Sequence, residues 1–303
     1  MSRLIRSLTS SRLRQAARVI APFILCTILS GCAMIAFVPE GLVARQERTI
    51  LLNAVTIMLL IIVPTGLATL AFAWWFRAGN SRARYRPDFA YSGRIEFITW
   101  SIPVLTILFL GGTAWISSHD LDPAQPLPVA GRVLPVQVVA LDWKWLFIYP
   151  DQGVASVNRL VVPAGVQLRL QITSASVFNV FFVPQLGSEI YAMNGMATEL
   201  HLVADKPGTF PGLSAHFSGD GFSDMHFDVN AVPQAQFDAW VKTTAASGPT
   251  LDDAAYRGLL RQTTNVAPYT YHAVQPGIFA AIIQQKLPPG DGPEPAVRPQ
   301  QKS

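Results

Sequence analysis

Leu134-Pro-Val-Gln-Val-Val-Ala-Leu-Asp-Trp-Lys-Trp-Leu-Phe-Ile148 is where this 303-residue chain stops reading as membrane helix and starts reading as β-structure. Valine, isoleucine and aromatic side chains dominate the stretch, and such side chains suit a pleated, partly buried surface. Similar short runs follow at 159–162, 166–173, 177–183, 198–203 and 225–229, separated by Gly and Pro. Short strands at this spacing predict an antiparallel sandwich or barrel. After Pro233 the period becomes helical. Phe237, Trp240 and Val241 share one face, and Thr250 with Asp253 predicts a capping box for a helix ending at Leu260. A C-terminal helical arm is therefore expected over 233–287. The Pro-, Gly- and charge-rich stretch 288–303 reads as disordered.

Towards the N-terminus, segments 50–76 and 95–116 each reach the roughly 20 apolar residues that a bilayer crossing needs. Asn53, Pro64 and Gly66 in the first are tolerated in membranes, where neighbouring helices satisfy freed backbone groups. Trp74, Trp75, Trp100 and Trp115 stand near the ends, where interfacial anchoring favours them. Between the segments lie Arg77, Arg82, Arg84, Arg86 and Arg94 against Asp88, and short arginine-rich loops stay in the cytoplasm. Region 49–119 thus reads as a transmembrane hairpin, with both flanks on the outer side. Arg3, Arg6, Arg12, Arg14 and Arg18 precede an apolar run at 19–29 and then Leu29-Ser-Gly-Cys32, the layout of a secretory signal. The last four residues resemble the bacterial lipobox. On that reading 1–31 is a cleaved signal peptide, Cys32 is the lipidated first residue, and 32–48 is a periplasmic N-terminal segment. The competing reading is a small cysteine within an uncleaved helix.

Half of the residues are hydrophobic, 14% are charged and the net charge is +4. The charge is unevenly placed: 12 of the 23 Lys and Arg lie at or before Arg94, with only 3 of the 19 acidic residues. The larger C-terminal part is acidic, which excludes a basic nucleic-acid surface. Cys26 and Cys32 are the only cysteines, so nothing beyond them can form an internal disulfide or a thiolate metal site.

Three stretches carry a family resemblance that covers nearly the whole chain. Val138-Val-Ala-Leu-Asp-Trp-Lys-Trp-Leu-Phe-Ile-Tyr-Pro150 resembles the aromatic segment of haem–copper oxidase subunit II, in the Asp-Trp-Lys-Trp form of bacterial cytochrome bo-type ubiquinol oxidases. Asn179-Val-Phe-Phe-Val-Pro-Gln-Leu-Gly-Ser-Glu-Ile-Tyr-Ala-Met-Asn-Gly-Met196 fits the same subunit. Phe210-Pro-Gly-Leu-Ser-Ala-His-Phe-Ser-Gly-Asp-Gly-Phe-Ser-Asp-Met225 resembles its copper-binding loop, Cys-x3-Cys-x3-His-x2-Met. The resemblance implies a two-helix transmembrane hairpin, an all-β cupredoxin-like Greek-key barrel or sandwich at 120–232, and the C-terminal helical arm.

Carried over by position, the copper cysteines fall on Ser214 and Ser218 and the histidines on Asn179 and Phe222; only the methionine remains, as Met225. Thiolate and imidazole ligands suit copper, whereas neutral hydroxyls and a phenyl ring do not. The glutamate that helps hold magnesium in copper-containing relatives falls on His216, which puts that oxygen-ligand site in doubt as well. His201, His216 and His226 could suggest a replacement metal site, but His201 reads as the outward residue of an alternating strand. Met225 reads as a packing residue, since methionine fills irregular gaps. Trp143 and Trp145 match aromatics that organise electron transfer in cytochrome c-fed relatives; without copper they read as packing and docking residues. Glu96 lies just inside the second span, where an ionisable group is costly and usually functional. The resemblance puts a glutamate there, at the cytoplasmic mouth of a proton pathway. The alternative is an interfacial glutamate reaching up to water or pairing with Arg94.

In this family, loss of the copper ligands separates quinol-fed oxidases from cytochrome c-fed ones. The resemblance therefore implies a non-metal-binding structural subunit of a proton-pumping ubiquinol oxidase in a bacterial inner membrane. The haems and the oxygen-reducing copper would sit in a large subunit I. Ubiquinol would be the substrate, small subunits III and IV and membrane lipid further partners, and cytochrome c no partner. The alternatives are a copper-containing cytochrome c oxidase subunit II and a stand-alone membrane-anchored binding lipoprotein.

Overall fold

The computed structural model describes residues 37–84, 86–290 and 292. The chain divides into Met1–Val38 and Pro39–Ser303, and the architecture below is that of the second unit. The expected signal peptide, Cys32 and the tail beyond Gly292 lie outside the described residues.

Helices α1 (Leu42–Trp75) and α2 (Gly93–Asp120) are each long and apolar enough to cross a membrane. They are apolar all round: Leu60 is 76% exposed and Phe97 74%. A helix of that kind is at home in lipid or against other spans. Its hydroxyls are folded inward, as apolar surroundings require. Thr56 and Thr106 each donate to the carbonyl four residues back at 2.7 Å, and Thr69 and Thr113 do so at 2.8 Å. Pro64 and Pro103 sit within the helices without ending them.

Beyond α2 the chain forms β1 (Val133–Leu141), β2 (Lys144–Tyr149), β3 (Val154–Val157), β4 (Arg159–Pro163), β5 (Gln167–Ser174), β6 (Asn179–Phe182), β7 (Ile190–Ala192), β8 (Thr198–Leu202), β9 (Gly208–Ser214) and β10 (His226–Val232). Helix α3 (Gln234–Ala246), β11 (Thr250–Leu251), α4 (Asp253–Leu259), β12 (Tyr269–Tyr271), β13 (Ala273–Val274) and α5 (Ile278–Ile283) complete the described chain. One sheet runs β12-β3-β2-β1-β5-β8 and the other β4-β10-β9-β6-β7, giving the cupredoxin-like sandwich.

The sandwich corrects several expectations. The quoted stretch 134–148 is a hairpin rather than one strand: it turns at Asp142-Trp143 and pairs Leu141 with Lys144. Every residue of β2 is buried, so no polar alternation marks the turn. The sheets are also mixed. β1 pairs β5 and β4 pairs β10 in parallel, because the chain crosses to the second sheet for β4 and returns for β5. Parallel neighbours need such crossovers. Strands β3, β7 and β9 carry weak local signals, β9 containing both Gly and Pro. Helix α4 is capped by Asp252, which accepts from the Ala255 amide at 2.8 Å, and not by Thr250, which belongs to β11. The arm is not purely helical, since β12 adds a sheet edge beside β3.

Two cores explain the burial. Trp145, Phe147, Phe181 and Phe227 fill the space between the sheets, with Phe237 of α3 closing one end. On the outer face of the six-stranded sheet, Val139, Leu141, Leu146 and Ile148 pack under Tyr256, Leu259, Phe279 and Ile282 of the arm. The sandwich also grips the top of the hairpin. The Glu40 amide donates to Gln185 O at 2.8 Å and the Asp205 amide to Glu40 O at 2.9 Å. Gly41 is required there, because a Cβ would lie 2.5 Å from Leu186 O.

Candidate functional site: the loop between β9 and β10

Strands β6 and β9 bring Asn179 and Ser214 together, Met225 before β10 bonds back to Ser214, and Ser218 is buried in the loop after β9. Asn179 is 1% exposed, Ser214 2%, Ser218 6% and Met225 1%. The Ser214 hydroxyl donates to Asn179 Oδ1 at 3.2 Å, and Asn179 Nδ2 donates to Val177 O at 3.1 Å. The Ser214 amide donates to Met225 O at 3.2 Å. Met225 is part of the inter-sheet core. Hydroxyl, amide and thioether are neutral here, and such a donor set lacks the thiolates and imidazoles that hold a pair of coppers. The residues present do not fit that centre. Among the described residues, no group of three or more His, Cys, Asp or Glu could hold a metal ion.

The loop keeps its shape through Trp143. That residue occupies the hairpin turn with φ 64°, a left-handed conformation unfavourable for a bulky side chain. Its indole Nε1 donates to Ser218 O at 3.0 Å. The ring lies against Gly221 so closely that a Cβ there would be 2.3 Å from it. Phe222–Asp224 forms one 3-10 turn that returns the chain to β10. The indole thus holds the loop from beneath. Trp145 lies within the core, its ring edge-on to Phe181 at 5.4 Å.

The other candidates make different contacts. His216 is exposed on the loop rim, its ring edge-on to Phe178 at 4.7 Å, and Phe222 packs edge-on against Phe217 at 5.7 Å. His226 is exposed on β10. His201, expected to point outward, is instead 3% exposed. Its strand lies at a sheet edge, but the linker after α2 covers that edge, and the His201 amide donates to Pro123 O at 3.0 Å. Glu96 sits in the first turn of α2, where a carboxylate is favoured by the helix N-terminus. The remaining helix separates it from the sandwich by roughly 35 Å. It is exposed, and no ion pair joins it to Arg94 among the described residues.

Sequence reasoning passed over one polar cluster beside the turn. Lys144 is 2% exposed, and its ammonium donates to Arg261 O at 2.7 Å and Thr263 Oγ1 at 2.6 Å. Burial brings its pKa down to about 8, with Asp142 pulling the other way. The Asp142 carboxylate is 4% exposed and accepts from Ser176 Oγ. This cluster ties the arm to the turn that carries Trp143. Two opposite charges at i, i+2 around an aromatic were its only signal in the sequence.

The chain is similar to known proteins along most of its length. The family model for the cytochrome c oxidase subunit II periplasmic domain matches residues 150–232. The chain is 44% identical over 264 residues to the cytochrome bo(3) ubiquinol oxidase subunit 2 of Pseudomonas aeruginosa, covering 87% of this chain and 80% of that one. It is 42% identical over 266 residues to the protein of the same name from Pseudomonas putida, covering 88% and 85%. To the ubiquinol oxidase subunit 2 of Acetobacter aceti it is 45% identical over 258 residues, covering 84% of each. Two apolar helices, a sandwich with the subunit II loop, and relatedness along most of the length lead to one conclusion: the chain belongs to the ubiquinol oxidase subunit 2 family.

Proposed function

We propose that this chain is the non-metal-binding structural and assembly subunit of a proton-pumping haem–copper ubiquinol oxidase. The observation that carries the reading is the neutral Asn179–Ser214 hydrogen bond where copper ligands would stand. A subunit built this way has no centre to receive an electron from cytochrome c. Oxidation of ubiquinol and reduction of dioxygen to water fall to a large subunit I, which would hold the haems and the oxygen-reducing copper. Small subunits III and IV complete the complex. The chain crosses the bacterial inner membrane twice, with Cys32 lipidated and the sandwich in the periplasm.

Glu96 is assigned to the cytoplasmic mouth of a proton pathway. Support comes from its place in the first turn of α2, with no ion pair to Arg94 among the described residues. The test of the whole reading is purification of the chain from its native membrane. Co-purification of a haem-containing partner with quinol-dependent oxygen consumption is expected. A haem-free chain isolated alone would instead favour a stand-alone lipoprotein, and stoichiometric copper in the chain a cytochrome c oxidase subunit.

A further inference from the structure

Where the membrane hairpin meets the sandwich, a cavity of about 170 Å³ is lined mostly by Leu, Val and Pro, with polar groups from Gln46 of α1, Asp120 at the end of α2, Asp122 and Gln125 of the following linker, Ser188, and His201 of β8. His201 is 3% exposed, and neither ring nitrogen has a hydrogen-bond partner among the described residues. Its Nε2 lies 3.1 Å from Glu199 Oε1, an ion-pair distance without hydrogen-bond geometry. Buried polar atoms left without partners are costly, and in native proteins they are met by ordered water or a ligand. This cavity has polar groups in its lining and room for several waters.

We propose that the cavity is a hydrated proton-exchange site on the outer side of the membrane, with water as its ligand and His201 as its buried proton acceptor. In the inward step a hydronium ion gives its proton to a ring nitrogen of His201, leaving water and an imidazolium beside the Glu199 carboxylate. In the outward step the imidazolium returns the proton through water to Asp120 or Asp122, whose side chains are exposed at the mouth. No electron moves.

The groups that set the ring's charge come from every element around it. Glu199 on the same strand favours the imidazolium. Arg169 of β5, held to Glu199 at 2.8 Å and 3.1 Å, opposes it. Asp120 and Asp122 face the cavity from α2 and the linker. Glu47 of α1 is tied to Ser188 on the cavity wall, and Arg45 of α1 is engaged by Asp205. Burial outweighs the attraction of Glu199 and brings the His201 pKa below its ordinary value. The ring therefore rests neutral near pH 7, as an acceptor must.

The site rests on the oxidase reading only for its use: a complex that oxidises quinol discharges protons, and this cavity lies on the side assigned to their release. Its test needs no oxidase activity, so the two readings fail separately. The full chain, labelled with 15N in its histidine rings and held in lipid nanodiscs, is titrated by NMR. Reversible titration of His201 below the ordinary histidine range is expected. Glu199→Gln should move the midpoint to lower pH and Arg169→Gln to higher pH. A fold change alone would not move it in opposite directions. Asp122→Asn should slow proton exchange at the ring several-fold. A ring that never titrates, or a midpoint insensitive to both Glu199→Gln and Arg169→Gln, overturns the proposal. So does an electron-density map with an organic molecule, rather than water, against His201.

Discussion

Gly221→Ala tests the claim that an indole, rather than a metal, holds the loop. A Cβ at this position would lie 2.3 Å from Cδ2 and 2.5 Å from Cγ and Cε3 of Trp143. No rotation of a flexible tip relieves that overlap, because the atoms belong to a rigid ring in the core. Either the loop backbone or the indole must move. Overpacking of this kind costs about 1–3 kcal/mol. Displacing the ring also weakens the Nε1 bond to Ser218 O, worth about 1 kcal/mol net. The combined loss is about 2–4 kcal/mol, which for a domain of this size lowers Tm by roughly 5–15 °C. The assay is thermal unfolding of the purified full chain in detergent, followed by near-ultraviolet circular dichroism, which reports tryptophan packing. Gly258→Ala is the control: it lies in α4 with nothing within 4 Å of its Cβ position, and alanine there should be neutral or stabilising by up to about 1 kcal/mol. If Gly221→Ala melts with the wild type, Trp143 does not hold the loop and the argument is wrong.

Further outcomes follow from the same geometry. Asn179→His, Ser214→Cys, Ser218→Cys and Phe222→His together should create a coloured, stoichiometric copper site beside Met225; metal analysis showing no copper would mean the loop has lost the ligand geometry. Lys144 has its folded pKa lowered to about 8 from 10.5, so between those values the unfolded chain binds more protons and stability should rise with pH. Denaturant midpoints from pH 7.5 to 9.5 should show that rise in the wild type and lose it in Lys144→Met; equal slopes would refute the assignment. For Glu96, steady-state oxygen consumption at matched haem content should fall in Glu96→Ala and Glu96→Gln and be better kept in Glu96→Asp. Equal rates for Glu, Gln and Ala would leave it an interfacial anchor.

Residue chemistry alone marked the two long apolar segments and the lack of thiolate side chains at 214 and 218. Both depend on what side chains are: an apolar run of this length must be covered by lipid or by protein, and Ser214 and Ser218 cannot supply thiolates in any fold. The helical face of Phe237, Trp240 and Val241 was legible for a similar reason, since its period is local. What the tertiary structure decided is which surfaces are covered twice. The six-stranded sheet has the core on one face and the arm on the other, so β1 and β2 lack the alternation that would have betrayed the turn at Asp142-Trp143. His201 alternates as an outward residue should, yet the linker from α2 closes over it. Lys144 is buried only because Arg261 and Thr263, more than a hundred residues later, come to meet its ammonium. Periodicity records one neighbouring surface, and burial from a second, distant one leaves no mark on the local pattern.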